Sequence, residues 1–76
     1  MEMTMPATLN DKIAARIKEL RKDKNLSQIE LAAKLSIDKS TIAKYETAVS
    51  IPSISMLVTL AKFFGVTTDY LLGLEN

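Results

Sequence analysis

Apolar residues recur every three or four positions along most of this chain, which is the period of one face of an α-helix. The spacing predicts five short helices and no strand. The first helix is expected to start with Asn10 or Asp11 as its N-cap. It should end near Asn25, because asparagine tolerates the left-handed conformation that ends many helices. Its inward positions are Ile13, Ile17 and Leu20.

The second and third helices carry signals at their starts and lie close together in the chain. Ser27 and Glu30 fit a capping box, which predicts a helix over Gln28–Leu35. Asp38 follows as a second N-cap, and a third helix is expected over Lys39–Thr47. Two short helices joined by so short a turn cross steeply, as in a helix-turn-helix.

The C-terminal part resumes the helical pattern after a loop in which Pro52 favours extended backbone. Ser53 as N-cap and Gly65 as a stop predict a fourth helix over Ile54–Phe64. A final short helix is expected from Thr67. The predicted inward residues of the fourth helix are Ile54, Leu57, Leu60, Ala61 and Phe64, and the final helix carries Tyr70, Leu71 and Leu72.

Composition narrows the kinds of protein to consider. A chain of 76 residues without cysteine or histidine has no disulfide or structural zinc, so apolar packing or a partner must stabilise its single domain. No run approaches the ~20 apolar residues of a membrane span, and no cleavable leader is recognisable. We therefore expect a cytoplasmic protein without a membrane contact or a cofactor. Because no catalytic constellation or phosphate-binding loop is present, an enzyme is not expected.

The net charge of +1 hides an uneven distribution. Nine basic and six acidic residues lie between Asp11 and Glu46, whereas the rest of the chain has one basic and three acidic residues. Affinity for the phosphates of a nucleic acid comes from clustered basic residues, and the basic side of this chain is its N-terminal half. Residues 1–9 are expected to form a flexible arm, residues 10–74 the domain, and residues 75–76 a short C-terminal end.

Ordered strings of residues span most of the chain. They are Leu26-Ser27-Gln28-x-Glu30-Leu31-Ala32, Ile37-Asp38-x-Ser40-Thr41-Ile42-x-x-Tyr45-Glu46, Pro52-Ser53, Leu57, Leu60-Ala61, Phe64-Gly65-Val66-Thr67 and Tyr70-Leu71-Leu72. This pattern, over about Asp11 to Leu74, resembles the Cro and phage-repressor (XRE-like) helix-turn-helix transcriptional regulators. The resemblance implies an all-α, lambda-repressor-like DNA-binding domain, which acts as a repressor with its third helix in the major groove.

The resemblance also implies roles for individual residues. The base-reading residues would be Lys39, Ser40 and Lys44, which share a face of the third helix when Ile42 points into the core. The residues near the DNA backbone would be Gln28, Thr41, Tyr45, Thr47 and Ser50. Arg21 and Glu46 would form a partly buried ion pair with a structural role.

Two positions depart from the family pattern. Ser36 stands in the turn where the family often has a glycine with positive φ. The loop Thr47–Ile51 lacks the basic residues that normally hold phosphate, so weaker binding with a flatter salt dependence is expected. Val49 and Ile51 indicate instead an apolar contact, either with the core or with a partner.

One recognition helix covers only half of a DNA site, so a homodimer on a palindromic operator is expected. The C-terminal helix is the expected dimer surface, since Tyr70, Leu71, Leu72 and Leu74 exceed what so short a helix can bury. The alternative function is a protein-interaction module of antitoxin-like or regulatory type that keeps the fold but binds a protein partner.

Overall fold

The computed structural model describes residues 7–75, which form five helices and no strand, as the hydrophobic spacing predicts. The helices are α1 Leu9–Asp23, α2 Gln28–Leu35, α3 Lys39–Glu46, α4 Ile54–Phe64 and α5 Thr68–Leu71. Residues 1–6 of the predicted arm lie outside the described residues. No helix between residues 7 and 75 has the length and apolar character needed to cross a membrane.

Capping boxes begin both α1 and α2, but only that of α2 was predicted. In α2 the Ser27 hydroxyl accepts from the Glu30 amide at 3.0 Å, while the Ser27 amide donates to the Glu30 carboxylate at 2.8 Å. This backbone hydrogen bond lowers the pKa of Glu30. The predicted N-cap of α1 was wrong, because Thr8 caps the helix in a second capping box with Asp11. Asp11 is therefore the N3 residue of that box.

Each of the five helices is followed, one or two residues after its last residue, by a residue with left-handed backbone. The φ values are 57°, 58°, 62°, 70° and 76° for Asn25, Ser36, Ala48, Gly65 and Gly73. The amide of the following residue then donates back to a carbonyl in the last turn, as from Val49 to Lys44 at 3.0 Å. The positive φ predicted for Ser36 is confirmed. That of Ala48 was not predicted, and such a conformation costs a residue with a Cβ about 1–2 kcal/mol.

The core lies where α1, α2 and α3 meet the C-terminal helices. Ala32 of α2 and Ile42 of α3 are both buried in it, which permits the close crossing of the two helices. Ile54 was predicted to point inward and is instead 83% exposed. At 3.6 residues per turn it lies ~70° from the centre of the stripe formed by the other four predicted positions, and as the first residue of α4 it stays outside the core. The buried apolar residues are Ile13, Ala14, Ile17, Leu31, Ala32, Ile42, Tyr45, Leu60, Ala61, Phe64 and Leu71.

The short α5 packs against α1 and α4. Leu71 is fully buried in the core. The Tyr70 ring lies under the Arg16 guanidinium at 4.0 Å, and its hydroxyl donates to the Glu19 carboxylate at 2.9 Å. Of the apolar residues expected to form a dimer surface here, Leu74 alone is mostly exposed, at 69%.

Candidate nucleic-acid interface

The helix α3 has two faces of opposite character. Lys39, Ser40 and Lys44 are exposed, whereas Ile42 is fully buried and Tyr45 is only 8% exposed. The three exposed side chains, which we name the recognition face, are the predicted base-reading residues. The buried face packs against α1 and α2. This packing fixes the position of α3, and the recognition face remains on its exposed side.

A buried ion pair connects the end of α3 to α1. The Arg21 Nε donates to Glu46 Oε2 at 2.6 Å, and Nη2 donates to Oε1 at 2.9 Å. Their side chains are only 11% and 2% exposed. The remaining Nη1 donates to the Leu26 carbonyl at 2.7 Å. The hydrogen bonds with Glu46 raise the pKa of Arg21 above its ordinary value, so the guanidinium stays charged.

The same carboxylate also holds Gln28, the first residue of α2. Its Nε2 donates to Glu46 Oε1 at 3.2 Å. Because an amide nitrogen carries two N–H bonds, a second donor on Gln28 remains for a phosphate oxygen. Glu46 therefore joins the start of α2 to the end of α3, a link that the sequence did not reveal since it depends on how the helices cross.

The other predicted backbone contacts differ in their surroundings. The Thr47 hydroxyl donates to the Ala43 carbonyl at 2.8 Å, which leaves it no proton for a phosphate. Tyr45 belongs to the core, and burial raises the pKa of its hydroxyl. Thr41 and Ser50 are half-buried at the surface. Gln28, Thr41 and Ser50 are thus better placed than Thr47 and Tyr45 to reach a phosphate.

Asp38 is a further candidate that the sequence interpretation missed, since it was assigned to capping. Its position is that of the N-cap, but its side chain makes no capping hydrogen bond. The carboxylate is exposed at the start of α3, next to Lys39. A carboxylate at a recognition helix can accept from the amino group of cytosine in the major groove.

The loop after α3 is apolar on its outside. Val49 is 71% exposed and Ile51 is also exposed, so neither residue makes the core contact that was one of the two alternatives. Among residues 7–75, no group of histidine, cysteine or acidic side chains is arranged to hold a metal ion.

Comparison with known proteins matches residues 17–71 to the helix-turn-helix family model. The chain is 48% identical over 61 residues to the HTH-type transcriptional regulator AnsR of Bacillus subtilis, covering 80% of this chain and 53% of AnsR. It is 41% identical over 61 residues to the uncharacterised HTH-type transcriptional regulator YobD of the same species, covering 80% and 54%. The immunity repressor protein of Bacillus phage phi105 is 33% identical over 64 residues, covering 84% and 44%. The chain spans about half the length of these relatives.

Proposed function

This chain belongs to the helix-turn-helix family, and on that basis we propose that it binds double-stranded DNA at specific sequences and regulates transcription as a repressor. The observation that carries the proposal is the recognition face, which is exposed on a helix whose opposite face is buried. The names of the relatives, which include transcriptional regulators and a phage immunity repressor, support the same function.

In the proposed complex, α3 lies in the major groove. Lys39 and Lys44 donate to the O6 or N7 of guanine, and the Ser40 hydroxyl bonds to a neighbouring base edge. Gln28 donates its free N–H to a phosphate at the start of α2, while Thr41 and Ser50 contact the backbone beside it. Such backbone contacts orient the protein on the duplex, and the base contacts provide the sequence preference.

The proposed DNA complex contains two copies of the chain on a palindromic operator. One recognition helix covers half of such a site, and a two-fold arrangement places two of them one helical turn, about 34 Å, apart. The symmetry of the DNA then mirrors the symmetry of the protein pair.

The alternative of a protein-interaction module is favoured by one observation, the exposed Val49 and Ile51 in place of basic residues in the loop after α3. Retention on heparin separates the two functions, because a module without a DNA-binding face has no clustered basic surface to hold the polyanion.

Selection of binding sites from a random duplex pool at physiological salt tests the proposal. We expect a palindromic motif with half-sites about ten base pairs apart. The triple variant Lys39→Ala/Ser40→Ala/Lys44→Ala should select nothing, whereas Lys62→Ala, which removes an exposed lysine on α4, should select the same motif as the original chain. If the original chain enriches no sequence and is not retained on heparin, the result would favour the protein-interaction module.

A further inference from the structure

A surface cleft, which we name the lysine cleft, lies between the ends of three helices. It has a volume of ≈ 340 Å³ and is lined by Lys24, Leu26, Lys34 and Phe63. Lys24 directly follows α1, Leu26 lies in the connection to α2, Lys34 is in the last turn of α2 and Phe63 is near the end of α4. None of these residues belongs to the recognition face or to the proposed contacts with the DNA backbone. The proposed function therefore leaves the lysine cleft without a role.

The apolar part of the lysine cleft is held in place by the rest of the chain. Phe63 meets the buried ring of Phe64 edge to face, with the ring centroids 5.1 Å apart. The Leu26 amide donates to the Arg21 carbonyl at 3.1 Å, and its carbonyl accepts from Arg21 Nη1 at 2.7 Å. Both lining residues are half-buried and pack against the core. A ligand that binds here meets groups that are already ordered, which reduces the entropic cost of binding.

The polar part of the lysine cleft is cationic. The Nζ of Lys24 lies 5.7 Å from the centroid of the Phe63 ring, so the ammonium group stands at the apolar wall. Within residues 7–75, the one ion pair closer than 4.0 Å is that between α1 and α3, so no described carboxylate pairs with Lys24 or Lys34. Glu30, one turn before Lys34, bonds instead to the backbone at the start of α2. Both ammonium groups of the cleft can therefore bind an anion from solution.

We propose that the lysine cleft binds a small organic anion in which a carboxylate is attached to an aromatic or aliphatic body. The carboxylate accepts hydrogen bonds from Lys24 and Lys34, and the body packs on Leu26 and Phe63. An apolar wall with a few polar groups that orient the ligand is typical of small-molecule sites, whose volumes begin at about 300 Å³. This inference does not rest on the proposed function.

Other occupants use only part of the lysine cleft. A DNA phosphate would attract the two lysines but has no apolar body to cover Leu26 and Phe63. A neutral apolar molecule would cover the wall and gain nothing from the ammonium groups. The combination of both kinds of lining favours a ligand that carries a negative charge and an apolar body together.

The test is a titration of the ¹⁵N-labelled chain with 4-phenylbutyrate at low salt and neutral pH, where the carboxyl group of the probe is ionised. We expect saturable shifts of the Lys24, Leu26, Lys34 and Phe63 amide signals, with a dissociation constant on the order of 1 mM. The alcohol 4-phenylbutanol has the same body without the charge and should bind at least about fivefold more weakly. Acetate has the charge without the body and should leave the four signals in place.

The double variant Lys24→Gln/Lys34→Gln separates the role of the lysines from that of the wall. Both side chains are exposed, so the variant should keep its helical circular dichroism. Its affinity for 4-phenylbutyrate should fall at least about fivefold, while its affinity for 4-phenylbutanol stays the same. The matched control is Lys12→Gln/Lys18→Gln, which removes the same charge from exposed positions of α1 outside the cleft. It should change the affinity for 4-phenylbutyrate by less than about twofold.

Four outcomes would overturn the inference. They are no shift of the four amide signals up to about 20 mM 4-phenylbutyrate, equal binding of the acid and the alcohol, the same shifts with acetate, and equal losses of affinity in the two double variants. A titration with a short DNA duplex tests the competing occupant. If the duplex shifts the four signals and 4-phenylbutyrate does not, the lysines of the cleft contact phosphate and the inference fails, whereas the proposed function stands.

Discussion

The helices α1 to α3 differ from residues 47–61, which contain no charged side chain, in how their polar groups are satisfied. In the first region a buried arginine, a carboxylate and an amide satisfy one another across three elements, and the lysines of α3 remain exposed. In the second region hydroxyls bond back to their own helix, and apolar side chains are exposed. Under the proposed function the base contacts lie in the first region, whereas the second region exposes apolar side chains and no lysine or arginine. Substitutions on either side should therefore change different measurements.

The largest effect is expected in the first region, from Arg21→Ala. Removing this guanidinium leaves the buried Glu46 carboxylate without its partner, which should lower the free energy of unfolding by about 3–5 kcal/mol. Urea unfolding followed by circular dichroism measures the loss. Arg16→Ala is the matched control on the same helix, because the half-buried Arg16 stacks over the Tyr70 ring and leaves no buried carboxylate unpaired when it is removed. It should cost about 1 kcal/mol or less. Equal losses in the two variants would show that the ion pair has no special role.

The second-largest effect is expected on DNA recognition, with no change in the free energy of unfolding. Lys39→Ala and Lys44→Ala should each reduce discrimination between the selected site and a mismatched site by about 1–3 kcal/mol, measured by fluorescence anisotropy at fixed salt. Lys62→Ala removes an exposed lysine from α4 and should leave discrimination unchanged. If all three variants weaken binding to both sites alike, the recognition face contributes only general attraction to phosphate.

The third effect tests the junction between the two regions. Ala48→Gly should raise the stability by about 0.5–1 kcal/mol, because glycine adopts the left-handed backbone of residue 48 without steric cost. Ala33→Gly, at an exposed position inside α2, should lower it by about 1 kcal/mol instead. Thermal unfolding of both variants provides the comparison, and a destabilised Ala48→Gly protein would contradict the assigned conformation.

The smallest effect is the alkaline pH dependence of stability. Burial raises the pKa of Tyr45, so the folded state retains the phenolic proton to a higher pH than the unfolded state does. This contribution is complete below the ordinary tyrosine pKa of about 10 and is lost as pH rises through the folded-state value. Urea unfolding at several pH values should show a shallower decline for Tyr45→Phe than for the original chain. Identical slopes would place the Tyr45 hydroxyl in solvent.

Much of the fold could be predicted because its signals are local. The cap at Ser27 and the stop at Gly65 act within one helical turn, so α2 and α4 have the predicted bounds. Thr8 was missed because the apolar period of α1 starts later than its cap. Ala48 has no residue signal for its positive φ, which occurs in the C-terminal turn of α3 where the Val49 amide donates to the Lys44 carbonyl.

The part of the candidate site that could be predicted is the set of α3 side chains that point outward, because the helical period determines it. Burial of Ile42 directs Lys39, Ser40 and Lys44 outward, as expected. Residue type did not reveal the bond from Gln28 to Glu46 or the inward hydrogen bond of Thr47. Both depend on distances that arise only when the helices are packed.

The most direct test of the central claim is to locate α3 on the selected DNA. The chain has no cysteine, so Ser40→Cys provides a unique attachment point for a DNA-cleaving iron chelate, and Ala15→Cys, exposed on α1, is the matched control. We predict two cleavage centres from position 40, symmetric about the palindrome and about 34 Å apart, with little cleavage from position 15. Equal cleavage from the two positions, or none from position 40 in a complex that still forms, would contradict the placement of α3 in the major groove.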